Sequence, residues 1–413
     1  MKRRLVFISN IAAPYQVKFC YALQEHFEAE FWFYDQLTDR RPAWWKVPLG
    51  DRCKVLPSKF FSGPLNYVSP DVFRQLNRFK PDVLLLGGFT PLHALLVRFA
   101  KWNGIQVVVL SEPIRDVSSE QDASDKLLEK TNAKWKTRLL HRMFRDADLV
   151  FGMGQVAHDQ FIRELGFREN QVVIAPYPID IDAYFTHPLR FKRQGEPIRL
   201  LFANRLVDRY QPLVALEAYH HLKRTYPRLS IALNREGHLY ETCRHYIAEH
   251  DLSDVTFLNE IDAWDNMHLV YRDADILVLP ATYSNGNITI IEACASGMGV
   301  VVSHQVDNVS RHLTEDENCF KCEPTAVSLE RTLRRYLEQP ERIAQHGALS
   351  KQRVVHRKNE VTALVYRDLL NQYKSSTDKG ERYHVETYAA RRGDASSTGH
   401  FEGEGERDLH HPM

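Results

Sequence analysis

SNGNITIIEACASG, residues 284–297, comes just after the strand-like run DILVLP, 275–280, and the two read together as a strand, a short polar loop and a helix. The loop contains Gly286, the segment from Ile288 to Ala295 is helix-compatible, and Gly297 stands where a C-terminal stop belongs. The first backbone N–H groups of such a helix have no partners within it and sit at the positive end of its dipole, so main chain alone can hold a phosphate there. Glu292 falls about one turn into the helix, where a carboxylate can accept hydrogen bonds from sugar or ribose hydroxyls. A surface helix joined to its strand by an Asn/Gly turn has the same pattern, so the rest of the chain must decide between the two readings.

The chain has 413 residues, 44% of them hydrophobic, enough for two domains with substantial cores. Its 54 Lys and Arg against 53 Asp and Glu leave a formal charge of +1, which argues against a dedicated nucleic-acid binder. The start, MKRRLVFISNIAAPY, has an apolar run too short for a signal peptide or a membrane span, and no later segment is long enough to cross a bilayer. The six cysteines are scattered, which suits reduced thiols in a cytoplasmic protein. Cys319-Phe-Lys-Cys322 has no second pair and reads as two ordinary loop thiols, not a zinc or redox site; no metal is expected.

Short β-rich runs alternate with helical patterns. In the first half the runs are 4–9, 29–35, 82–88, 106–111, 148–154 and 171–176, several apolar throughout, as parallel strands buried on both faces are. Helices are expected over 15–26, 69–79, 91–103, 124–146 and 155–165, the last stopped by Gly166. Residues 177–198 are rich in Pro and charge and read as a connection. The alternation restarts with runs at 198–204, 228–233, 255–259, 275–280 and 299–303. The expected fold class is therefore α/β, with two Rossmann-like doubly wound domains facing a cleft and ligands at the C-terminal ends of the strands. The boundaries are a first domain over 1–185, a linker over 186–197, a second domain over 198–357, a helix over 358–374 crossing back, and a tail over 375–413. That tail, dominated by Ser, Gly, Glu, Arg and His, has too few aliphatics to fold.

The motifs, taken in order, resemble those of the GT-B glycosyltransferases, in particular the large retaining group called family 4. SNIAAPYQVKFCYAL, with Pro14 and Tyr15, is similar to the first strand, acceptor-side loop and helix of members with an Asn-Ile-x-x-Pro-Tyr start. GGFTPLHALLVRFAKWNGIQVVVLSEP, 87–113, resembles the segment holding a Gly-rich loop, a helix and a strand ending in Ser-Glu, and 147–185 resembles the approach to the linker. FANRLVD resembles the Gly-Arg-Leu turn, LNREGHL the Gly-x-Gly turn with Glu236 and Gly237, and 273–303 the donor-binding signature. The resemblance implies a metal-independent hexosyl or related transfer from a nucleotide-diphosphate sugar to a glycan or lipid-linked acceptor, with no cofactor besides the donor, in polysaccharide or glycolipid assembly. It places Arg205 at the diphosphate, where a guanidinium fork can hold two oxygens. Asn285, Gly286, Asn287, Ile288 and Thr289 would supply the helix-terminus contribution, and Glu292, the second Glu of a paired motif, would meet the ribose.

The departures are specific. Ser284 stands at the first Glu of the pair, Tyr210 at an expected Lys with Arg209 beside it, and Asn204 at the Gly before Arg205. Asn285 and Asn287 are candidates to take over sugar contacts, since amides both donate and accept. On the first domain Glu112, at the end of a strand and before Pro113, is a candidate for acceptor or donor contact, and His93 a weaker one in a helix. A catalytically impaired sugar-nucleotide-binding protein and a nucleotide-sugar epimerase are the alternatives. The helix over 124–146, with Lys126, Lys130, Lys134, Lys136, Arg138, Arg142 and Arg145 beside Leu128, Trp135, Leu139 and Met143, suits either the inner face of an anionic membrane or a solvated face packed on the domain. Trp44 and Trp45 can stack on acceptor sugars, enter an interface or pack locally.

Overall fold

The computed structural model describes residues 2–37, 43–61, 66–114, 134–258, 261–284, 288–306 and 312–377. The first half comprises β1 (Arg4–Ile11), α1 (Pro14–Gln24), β2 (Glu28–Asp35), β3 (Cys53–Val55), β4 (Lys59–Phe61), β5 (Asn66–Val68), α2 (Asp71–Phe79), β6 (Val83–Gly87), α3 (Pro91–Trp102), β7 (Gln106–Ser111), α4 (Lys134–Phe144), β8 (Leu149–Met153), α5 (Gln155–Arg163) and β9 (Val172–Ala175). Seven strands form one sheet in the order β3-β2-β1-β6-β7-β8-β9, all parallel, while β4 and β5 make a separate antiparallel pair. Val83 to Leu86 are wholly buried because helices cover both faces: α2, α3, α4 and α5 on one, α1 and the C-terminal helix on the other.

The second half comprises β10 (Ile198–Phe202), α6 (Pro212–Lys223), β11 (Leu229–Leu233), α7 (Tyr240–Glu249), β12 (Val255–Phe257), α8 (Met267–Arg272), β13 (Ile276–Leu279), α9 (Ile288–Ser296), β14 (Gly299–Ser303), β15 (Phe320–Cys322), α10 (Ala326–Glu338), α11 (Glu341–Val354) and α12 (Asn359–Thr377). Its six-stranded parallel sheet runs β12-β11-β10-β13-β14-β15. The strand order reverses between β1 and β6 in the first sheet and between β10 and β13 in the second, so each domain has a crevice at those strands' C-terminal ends. Helix α12 returns to the first domain. Tyr366 packs edge-on against Phe19 (4.9 Å) and Phe151 (5.5 Å) and donates to the Pro176 carbonyl, while Arg3 donates to the Leu370 carbonyl.

The long apolar strands and most helices fall where the sequence places them, and the differences have local causes. β3, β4, β5 and β15 are three-residue strands without enough apolar alternation to register as strands. Cys322 thus lies on a strand and not in a loop, and both it and Cys319 are buried. Of the helix expected over 124–146, α4 covers 134–144; residues 124–133 lie outside the described residues, as do 378–413 of the tail. Within α4, Leu140 and Phe144 face the core with Met143 packed against it, whereas Trp135 and Leu139 face outward. The connecting segment is tied to the second domain: Ile179, Ile181 and Tyr184 sit in its core. Arg190, buried, donates to the carbonyls of Tyr271, Ala274 and Ser296, which lie at or just beyond the ends of α8 and α9.

Candidate functional site

Around the second crevice the turns after β10 and β11 are joined by main chain. The Leu206 N–H donates to the Glu236 carbonyl at 2.6 Å, the Leu239 N–H donates back to the Leu206 carbonyl at 3.0 Å, and Asn234 donates to the Ala203 carbonyl. Such close approach requires Gly237: its φ is +135°, and a Cβ there would lie 2.2 Å from the Leu206 carbonyl oxygen. Arg205 is carried outward on the clamped turn and is exposed, as is Glu236. Across the switch point, the Thr289 hydroxyl donates to the Asn204 side-chain oxygen at 3.0 Å, which fixes the first turn of α9 beside the turn that bears Arg205. Thr282, after β13, donates its N–H to the Arg209 carbonyl at 2.9 Å, and the Arg209 guanidinium lies over the Tyr210 ring. Asn204, Arg205, Arg209, Thr282 and Thr289 therefore converge at one place. Ser284 follows, buried, its backbone bridged to Val306. Asn285, Gly286 and Asn287 lie outside the described residues.

Glu292, expected to meet a ribose, lies on α9. It is buried beneath the crevice, where the Tyr184 hydroxyl donates to Oε1 (3.0 Å) and the Tyr271 hydroxyl to Oε2 (2.5 Å). Its helix position turns it inward, so it ties the connecting segment to α8 and α9. Burial pushes its carboxyl up to about 7, with the two tyrosines opposing the shift, and both phenols are held well above their ordinary range by burial and by that carboxylate.

The first crevice is bridged by rings. Tyr15, in the first turn of α1 after Pro14, meets Trp45 at 6.1 Å, Tyr177 at 5.7 Å and Trp264 at 6.2 Å; Trp264, from the loop after β12, also meets Trp44 and Trp45. Trp44 and Trp45 thus pack against Trp264 of the second domain. Trp264 further donates to Asp180 (2.9 Å), and Lys18 pairs with Asp265 (3.1 Å). Glu112 is exposed at the end of β7 and acts on Tyr177, whose hydroxyl donates to that of Tyr15 at 3.1 Å; burial and the Glu112 carboxylate raise the Tyr177 phenol. His93, the weaker acceptor-side candidate, lies near the start of α3. Its ring is wholly buried under the start of α3, Nδ1 lies 2.8 Å from the Gly88 carbonyl, and burial lowers it to about 4, which leaves it neutral.

Tyr177, Tyr184, Trp264 and Tyr271 were not singled out in the sequence. Tyr177, Tyr184 and Trp264 lie in segments without helical or strand period, Tyr271 lies on the short α8, and nothing local signals a partner so far along the chain. An open concavity of about 630 Å³ lies at the opposite ends of the strands, lined in part by Arg3, Asp82, Gln106 and Asp148, away from both crevices. Among the described residues no cluster of three or more His, Cys, Asp or Glu side chains is arranged to hold a metal ion, and no helix is long and apolar enough to cross a membrane.

Comparison with known proteins places this geometry. Residues 12–178 match the glycosyl transferase 4-like domain, and residues 187–353 match the glycosyl transferases group 1 domain. EpsF of Bacillus subtilis, provisionally named a glycosyltransferase, is 24% identical over 274 residues, 63% of this chain and 67% of its own length. A glycogen synthase of Mycobacterium tuberculosis is 23% identical over 214 residues, and the match spans about half of each chain (51%). In fold, the sucrose-phosphate synthase of Thermosynechococcus elongatus superposes with a TM-score of 0.66 at 16% identity, over 91% of this chain and 100% of that one. HepE of Anabaena, solved with UDP and glucose, gives 0.61 at 14% identity, again over 91% and 100%. Two parallel sheets with crevices at their switch points and both halves matched in order make one conclusion plain: the chain belongs to the GT-B glycosyltransferases, among the group 1, family 4-like members.

Proposed function

We propose that this protein is a retaining glycosyltransferase that moves a sugar from a nucleotide-diphosphate sugar to a glycan or lipid-linked acceptor, without a metal ion. The observation that carries the reading is the Thr289–Asn204 hydrogen bond, which holds the N-terminus of α9 beside the Arg205 turn at the switch point. Negative charge grows on the diphosphate as its bond to the sugar breaks, and a fixed cation with a helix terminus favours that change more than the ground state. The acceptor oxygen bonds to the sugar's anomeric carbon, the bond from that carbon to the diphosphate breaks, and the acceptor proton passes to the leaving phosphate. Transfer on one face in this way needs no protein nucleophile. Glu112, which acts on Tyr177, is the group proposed to meet the acceptor or the donor. The UDP and glucose in the solved HepE complex support trying uridine diphosphate sugars first.

Ser284 and Glu292 favour a second reading, a sugar-nucleotide-binding protein impaired in transfer. A hydroxyl stands at the first acidic position, and the remaining carboxylate is engaged by two tyrosines. Calorimetric titration with uridine, guanosine and adenosine diphosphate sugars tests the first reading. One donor should bind, and Arg205→Ala should weaken it roughly 10- to 100-fold, the worth of about 1.5–3 kcal/mol for hydrogen bonds to a charged group. No binding to any of them would sink both readings; binding without turnover on any acceptor would leave the second.

A further inference from the structure

The outward faces of α3 and α4 form one surface whose composition sets it apart. Both helices cover the same side of the first sheet and touch each other. The outward residues of α3 are Leu95, Arg98, Lys101 and Trp102, and those of α4 are Trp135, Arg138, Leu139 and Arg142. Trp102 is 92% exposed, Trp135 63%, Leu95 52% and Leu139 49%; few other large apolar side chains among the described residues are as open. Neither helix contains an aspartate or glutamate. The ion pairs there are Lys101–Asp148 and Arg145–Asp146, and among the described residues Arg98, Arg138 and Arg142 have no carboxylate partner.

Apolar side chains that water does not favour, interleaved with unpaired arginines, suit a partner that is oily beneath and anionic on top. A second copy of the chain fits poorly, because two such faces brought together would oppose arginine to arginine with no acid between them. We infer that the α3–α4 face docks on an anionic lipid bilayer, with Trp102, Trp135, Leu95 and Leu139 entering the headgroup boundary and Arg98, Arg138 and Arg142 meeting lipid phosphates. The inference goes beyond the proposed transfer and does not depend on it, since docking is measured without donor.

The test is flotation of the full chain with vesicles of phosphatidylcholine alone and of phosphatidylcholine with phosphatidylglycerol, at low and high salt. The protein should float with the anionic vesicles and lose most of that binding in high salt. Arg98→Ala with Arg142→Ala should weaken it by roughly 30-fold, at about 1 kcal/mol for each basic residue near the surface. Trp102→Ser with Trp135→Ser should reduce it separately, with thermal unfolding unchanged for either pair. Equal flotation with neutral vesicles, none with either, or binding that both variants retain would overturn the inference. So would a dimer in light scattering that both variants convert to monomer while the wild type ignores vesicles.

Discussion

On the second-domain side of the cleft, the turns after β10 and β11 are joined by hydrogen bonds between backbones, and a glycine makes room for them. On the first-domain side, the loop after β2 is held by rings, and the ring that completes the cluster, Trp264, belongs to the other domain. Main-chain bonds over a few residues fix geometry within a domain and do not depend on how the domains sit. Ring contacts between distant segments exist only when the two domains are close together. Under the proposed function a donor site built the first way would be ready before the acceptor arrives, whereas an acceptor site built the second way would be completed by closure.

The largest effect should come from Gly237→Ala. A Cβ 2.2 Å from the Leu206 carbonyl cannot be accommodated without opening the clamped turn, and the positive φ adds strain of about 1–3 kcal/mol. Loss of roughly 3 kcal/mol or more in urea unfolding, together with loss of donor binding, is expected. A variant with wild-type stability and donor affinity would show that the clamp is not what shapes the donor site.

Glu292 comes next and is read through pH. Its carboxyl is at about 7 when folded against an ordinary 4.5, so the folded state holds the proton more tightly than the unfolded one. The stability this gives is fully present below about pH 4.5 and is lost as pH rises through about 7, a fall of up to roughly 3 kcal/mol. Glu292→Gln stays neutral throughout, so the difference between wild type and variant should grow across that window. Parallel pH profiles would mean that the carboxylate finds other stabilisation in the crevice.

Trp264→Ala should cost about 2 kcal/mol, less than a fully buried tryptophan because its ring is only half-buried. The comparison predicts where that loss appears. Donor affinity should hold, since the donor turns do not include Trp264, while the radius of gyration from small-angle scattering should rise and turnover fall. Weakened donor binding in this variant would break the division between the two sides.

That division also explains what the sequence could show. The second-domain crevice is legible because its parts are short contiguous turns, such as FANRLVD, LNREGHL and SNGNITIIEACASG, and main-chain geometry leaves its mark in Gly and Asn at fixed offsets. The ring cluster draws on Tyr15, Trp44, Trp45, Tyr177 and Trp264, which share no spacing and are brought together only by the topology of both sheets. Glu292 shows the limit within a legible motif. Its position in the helix could be read, but the two tyrosines that turn it inward come from the connecting segment and α8. The face of α3 was likewise hidden, because Leu95 and Trp102 look like core residues until the buried stripe of Leu92, Leu96 and Val97 is seen to lie elsewhere on the helix.

Lys18 and Asp265 give the smallest effect and the sharpest test of what closes the cleft. Their 3.1 Å pair spans the domains next to the ring cluster, with about 39% of the lysine side chain and 74% of the aspartate side chain exposed. Water and salt screen a pair that open, so Lys18→Met should change stability by less than about 1 kcal/mol. If rings hold the domains together, scattering profiles of this variant and of the wild type in high salt should match the wild type at low salt, in contrast to Trp264→Ala. Should the domains separate in salt or in Lys18→Met alone, closure would be electrostatic, and the rings would follow the charges instead of leading them.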